Sequence, residues 1–133
     1  RRQFAVGRSG NEALALARAE AIAAGLDPSI YSHPIGLHGH GAGPSIGFWD
    51  NQNADPRGSG AINANTAWSI ELTSYAAVPE WGGQKVDFRA EENAFFDGKN
   101  CFLLIIAQRK TVMERGFGKL FMCFCFIAFH QRS

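Results

Sequence analysis

Hydrophobic positions along the 133-residue chain fall into three blocks of different rhythm. In the first, Arg1 to Leu26, Ala and Leu dominate from Ala13 to Ala24, and Arg18 and Glu20 are the only charges in that run. Both residue types are strong helix formers. Just ahead, Ser9-Gly10-Asn11-Glu12 has the spacing of a capping box: the hydroxyl accepts from a free backbone N–H while the Glu reaches back. Gly25 is a natural C-terminal stop, and Asp27-Pro28 cannot continue the helix. With so few charges, the helix is expected to be covered over most of its surface.

The second block, Ser29 to Gly98, is rich in Gly, His, Pro and Trp. Strand-like runs occur at Ala67 to Tyr75, Gln84 to Arg89 and Ala94 to Phe96, with Pro44, Pro56, Pro79 and glycine clusters as punctuation. Asp50 to Asn65 is polar and contains Gly, which predicts an exposed loop. A helix followed by strands and turns predicts an α+β arrangement, one Ala-rich helix followed by a mainly antiparallel sheet.

The third block, Lys99 to Ser133, changes style. Phe102 to Ala107 reads as a buried strand and Thr111 to Lys119 is polar. Leu120 to Phe129 is a ten-residue apolar run with four Phe and two Cys. That is too short to span a bilayer, which takes about 20 residues. All three cysteines and six of the eleven Phe lie in this block. Residues 1–98 are therefore expected to form one body, and 99–133 an atypical tail with the look of a frameshifted or misassembled reading. The start at Arg1 reads as an internal cut.

Composition narrows the function. A hydrophobic fraction of 46% supports a real core. A net charge of +1, with no run of like charges, argues against nucleic acid or a charged membrane surface as the main partner. Cys101, Cys123 and Cys125 form no C-x-x-C pair, and residues 1–100 contain no cysteine. Neither a disulfide framework nor a thiolate metal site is expected for the main body.

The candidate chemistry lies in histidines and acids. His33, His38 and His40 fall within eight residues, among glycines that let backbone approach a ligand closely. On an extended chain, alternate side chains share a side, so His38 and His40 are expected to converge. Glu71 sits in the apolar-rich strand Trp68-Ser69-Ile70-Glu71-Leu72. A carboxylate there is costly unless paired or bound to a cation. Glu91 and Glu92 lie between Arg89 and Ala94, and in a continuous strand one of them must face inward. One His with two strand carboxylates is a ligand set suited to Mn, Co, Zn or Fe.

The order of these elements resembles the superfamily of creatinase, aminopeptidase P and methionine aminopeptidase, the pita-bread fold. The resemblance covers roughly residues 4–98 and is nearest to bacterial Xaa-Pro aminopeptidases. Ser32-His33-Pro34-Ile35-Gly36-Leu37 stands where the family has its His-Gly-Ile-Gly-like motif, with Pro34 in place of a glycine, and this implies that His33 is a metal ligand. His40, in His40-Gly41-Ala42-Gly43-Pro44, stands where a second histidine contacts substrate and stabilises the transition state, with Gly41 in place of the usual Glu. His38 is a further substrate-side candidate. Ile70-Glu71 matches the Ile-Glu of an Ile-Glu-Pro-Gly-like strand, which implies that Glu71 both binds metal and handles the proton of the attacking water. Arg89-Ala90-Glu91-Glu92, then Ala94-Phe95-Phe96-Asp97-Gly98, matches an Arg-x-Glu-Asp motif and its acidic-Gly turn. The implied bridging ligand is Glu91, with Glu92 the fallback.

The resemblance implies a partial pita-bread fold and metal-assisted hydrolysis by two divalent ions (Mn, Co or Zn). The substrate would be a peptide with proline after its first residue, and the complete protein a possible homodimer. The alternatives are a creatinase-like C–N hydrolase and a metal-free scaffold that binds a peptide or protein partner. The family also uses two strand aspartates ahead of the histidine. The one aspartate there is Asp27, expected in a helix-ending turn. The chain thus offers three of five ligands and is expected to be inactive alone, a fragment of the C-terminal, metal-binding part.

Overall fold

The structure is a computed structural model and describes residues 1–104. Helix α1 (Gly10–Ala23) is followed by strands β1 (Asp27–Pro34), β2 (Thr66–Val78), β3 (Gln84–Phe96) and β4 (Cys101–Leu103), with short 3-10 turns at Pro56–Gly58 and Pro79–Trp81. The strands form one sheet in the order β1-β2-β3-β4, every neighbour antiparallel. The α+β class with an antiparallel sheet is as expected. The Leu120 to Phe129 run and the rest of 105–133 lie outside the described residues.

The helix begins where its local chemistry dictates. Ser9 Oγ accepts from Glu12 N at 3.2 Å, and Glu12 Oε2 accepts from Ser9 N at 2.9 Å, which closes the capping box. Ser9 Oγ also donates to Glu12 Oε2 at 2.7 Å, and the backbone and hydroxyl donors of Ser9 together hold the Glu12 carboxyl below its ordinary range. The expectation of a widely covered helix is not met. Gly10, Ala13 and Leu14 are buried, whereas Leu16 and Ile22 are 44% and 55% exposed. One helix laid on one sheet face buries a single stripe of its surface, however apolar the remainder.

Three strand expectations are also corrected. Asp27–Pro34 is a strand, where a helix-ending turn was expected at Asp27-Pro28, because its whole length pairs with β2, from Asp27 opposite Tyr75 to Pro34 opposite Trp68. The runs at 84–89 and 94–96 are one strand, since Ala90 to Asn93 stay in register against Leu72 to Ser69. Beyond the turn at Asp97, the sheet continues through the three residues of β4, in which Phe102 is half exposed and not buried. Cys101 to Leu103 therefore belong to the same sheet as the body that was expected to end at Gly98.

The register sorts the sheet into two faces. Pro34, Trp68 and Ala94 form one cross-strand row and Ile30, Leu72 and Ala90 another, on the side facing α1. The core there comprises Ala13, Leu14, Ile30, Ile46, Ile62, Trp68 and Phe96. Phe4 packs edge-on against Trp68 with centroids 4.9 Å apart. The Trp68 indole N–H is buried and has no acceptor among the described residues.

The stretch expected to be an exposed loop is partly built into the core, since Ile62 is fully buried. Together with Ile46 just ahead of it, this stretch also closes the outer edge of β1. Ser32 and Ile46 exchange backbone hydrogen bonds of 3.0 and 2.8 Å. Gln52 acts as a side-chain substitute for a strand: Oε1 accepts from Ile30 N at 2.8 Å and Nε2 donates to Ile30 O at 2.9 Å. Arg18 donates to the same Oε1 at 2.8 Å and to Pro28 O at 2.8 Å. Gln52→Ala should lower the unfolding free energy by about 2–4 kcal/mol, because it strands an N–H and a C=O together. Urea unfolding measures this, and a loss under about 0.5 kcal/mol, the range of a plain surface change, would show that water replaces the amide without penalty.

Candidate metal and substrate site

The second face of the sheet is polar, and its parity follows from the same register. Tyr31 lies opposite Glu71, and Glu71 opposite Glu91, so all three side chains share this face. His33 lies one row further along, opposite Ser69 and on the same face. Glu92 pairs with Ile70 and so points to the helix side. Of the two adjacent acids it is Glu91 that shares a face with His33 and Glu71.

His33 is 8% exposed and its ring is fixed at both nitrogens. Nδ1 lies 3.0 Å from Pro34 O. A carbonyl only accepts, so Nδ1 carries the hydrogen and donates it. Nε2 lies 3.3 Å from Glu71 Oε1. With the hydrogen on Nδ1, a neutral ring turns a lone pair toward a carboxylate oxygen, and the pair needs a proton or another cation between them. Two donors each about 2.0–2.2 Å from one ion stand roughly 3.0–3.4 Å apart at ordinary coordination angles. The observed separation fits that geometry.

Glu91 is exposed and its Oε1 accepts from Ser69 Oγ at 3.0 Å, which draws it toward the His33 row. Burial and the nearby Glu71 charge push the Tyr31 phenol above its ordinary range. An open cleft runs along this face past Tyr31, Glu71, Tyr75, Arg89 and Glu91, with Trp49, 79% exposed, also on its wall.

The turn after β1 delivers His40. Gly41 N donates to Pro34 O at 2.7 Å, folding the chain back on the strand end. A Cβ on Gly41 would stand 2.8 Å from Ile35 O, and one on Gly36 would stand 2.7 Å from His40 O. This packing accounts for the absence of a side chain at Gly41. The His40 ring stacks on His33 with centroids 4.1 Å apart and planes 16° from parallel. The expectation that His38 and His40 converge along an extended chain is corrected, because the segment is not extended but doubles back, with His38 bridged to His40. It reverses at Gly39 (φ 89), leaving His38 exposed. Among the described residues no hydrogen bond, ion pair or ring stack joins the His38 ring to the site.

Asp27 proves to be strand-borne, but at the far end of β1, ion-paired to Lys85 at 2.9 Å. Six residues of strand put it about 20 Å from His33. Among the described residues no three His, Cys, Asp or Glu side chains come together closely enough to hold a metal by themselves. The donors fit a metal in part: one facing pair at ligand spacing, with a third acid on the same face.

Sequence reasoning missed Ser69, Phe48 and Arg57. Ser69 was findable as the neighbour-but-one of Glu71 on one strand face. Phe48 and Arg57 come from a loop, and no periodicity marks them. No protein-family profile, curated protein or solved structure matches the chain.

Proposed function

We propose that this chain carries the His/Glu/Glu half of a dinuclear pita-bread metallohydrolase, an Xaa-Pro aminopeptidase once two aspartate ligands complete the site. One observation carries the reading: His33 Nε2 lies 3.3 Å from Glu71 Oε1, with Glu91 opposite Glu71 on the same sheet face. These residues come from three strands and are the three that the sequence resemblance implies. The antiparallel sheet behind a single helix is compatible with the same fold.

When bound, two divalent ions would activate a water for attack on a carbonyl carbon. His33, Glu71 and Glu91 would hold them. The His33 hydrogen bond to Pro34 O fixes its tautomer and presents Nε2 as the donor. Glu71 would take the proton of the attacking water. His40, exposed and stacked on His33, would hydrogen-bond the developing oxyanion. The open cleft beside Glu71 and Glu91 would take the peptide.

Manganese titrated into the isotopically labelled chain tests the half-site directly. Binding should be weak, with paramagnetic broadening appearing first at His33, Glu71 and Glu91 and disappearing in His33→Ala. Broadening centred elsewhere, or unaffected by His33→Ala, would sink the reading. Stoichiometric capture of micromolar zinc would contradict the half-site part of it. No broadening at all would favour the metal-free scaffold.

A further inference from the structure

We propose that Arg57 is a positioning residue for the two site histidines, acting through Phe48 and Tyr31. What the histidines are positioned for rests on the metallohydrolase reading; the column that positions them stands on geometry alone. The Arg57 guanidinium carbon lies 3.5 Å over the centre of the Phe48 ring. Phe48 stacks on Tyr31 at 5.6 Å and 27°, and Tyr31 packs against His33 at 5.1 Å and 38°. His33 stacks on His40 at 4.1 Å. Five planar groups from β1, its following turn and the loop after it thus form one continuous pile.

The far end of the pile is anchored. Asp55 accepts from Arg57 Nε at 2.9 Å and from Nη2 at 3.0 Å, a fork that fixes the guanidinium plane. This pairing holds the Asp55 carboxyl far below its usual range. Asp55 is in turn gripped by the helix: Asn11 Nδ2 donates to Asp55 O at 2.9 Å and Asn11 Oδ1 accepts from Asp55 N at 3.0 Å. An exposed arginine ordinarily samples many rotamers. Here its charge, its plane and one face are all committed.

The other end has need of such support. His40 is exposed, sits in a glycine-rich turn and is held at the site by its ring stack. His33 is held in its plane at the two ring nitrogens, by Pro34 O and Glu71, and its two faces are set by the rings stacked on either side. A cation over the first ring fixes the second and third by offset stacking, and the order passes down the pile.

The test uses ring spectra of His33 and His40 in the metal-free full chain. Arg57→Gln alters a side chain 61% exposed and should leave the fold intact. It should move the ring resonances of both histidines toward free-histidine values and weaken the cross-peak between the two rings. The amide signals of β2 and β3 should stay in place, which a general loosening of the structure would not allow. Arg57→Lys keeps a cation near Phe48 but loses the planar fork, and its shifts should be smaller than those of Arg57→Gln. Phe48→Leu interrupts the pile at its second member and should reproduce the Arg57→Gln shifts. Unmoved ring resonances in a folded Arg57→Gln protein would overturn the proposal, as would shifts in Arg57→Lys as large as those in Arg57→Gln. If the rings move but manganese finds no site at His33 in the unaltered chain, the positioning role stands and the hydrolase reading falls.

Discussion

Gly47→Ala is expected to lower the unfolding free energy by about 2–5 kcal/mol, combining a left-handed backbone on a non-glycine residue with forced overpacking. Gly47 has φ 70, and a Cβ there would stand 2.2 Å from Ile30 O and 2.8 Å from Leu14 Cδ1. The nearer obstacle is backbone in the middle of β1, so no side-chain rotation relieves it. The loop would have to lift from the strand, breaking the Ser32–Ile46 exchange on one side of Gly47 and displacing Phe48 on the other. A domain stable by about 5–15 kcal/mol would lose a large part of that margin. Urea unfolding with two spectroscopic probes would measure it. A loss below about 1 kcal/mol, no more than a typical point mutation, would mean that the loop does not rest on the strand as described.

The second large effect concerns chemistry. In a chain completed with the two aspartate ligands, Glu71→Gln should reduce Xaa-Pro peptide hydrolysis by roughly 10²–10⁴-fold, the usual contribution of a positioned proton acceptor. The substitution preserves shape and one oxygen donor but removes the charge facing His33 Nε2. Because the Glu71 side chain is 37% exposed at the edge of an open cleft, the amide can be hydrated and the fold should survive. Steady-state rates at saturating manganese would separate lost chemistry from lost metal. Full activity in Glu71→Gln would remove Glu71 from the proton path and leave the three-residue assignment without its centre.

What could be read from the sequence was what depends on near neighbours. Ser9 and Glu12 lie three residues apart and settle their own bond, so the start of α1 was legible. Glu71 was conspicuous because its flanking residues are apolar. The choice between Glu91 and Glu92 was not legible, since parity alone cannot say which face is which until β3 is registered against β2. Strand β1 was hidden for a related reason. Its composition, Asp-Pro-Ser-Ile-Tyr-Ser-His-Pro, carries two prolines and little β propensity, and only pairing with residues 34–48 positions away makes it a strand. Proline is tolerated there because β1 is an edge strand. The loop contacts of Gln52 and Asp55 span 22 and 44 residues and leave no local trace. The turn that separates His38 from His40 depends on close backbone packing at Gly36 and Gly41, which spacing alone does not reveal.

The sealed flank of β1 gives the sheet a direction of growth. One margin is already occupied by a bridge at Ser32 and an amide at Ile30, so an incoming strand finds no open ladder there. The opposite margin is covered by β4 only at Ala94 to Phe96, which leaves the outer rungs from Gln84 to Glu92 without a partner strand among the described residues. A ribbon laid along those rungs would bring its side chains level with Glu91. Acidic groups arriving by that route would approach the polar face from the Glu91 side, across from His33.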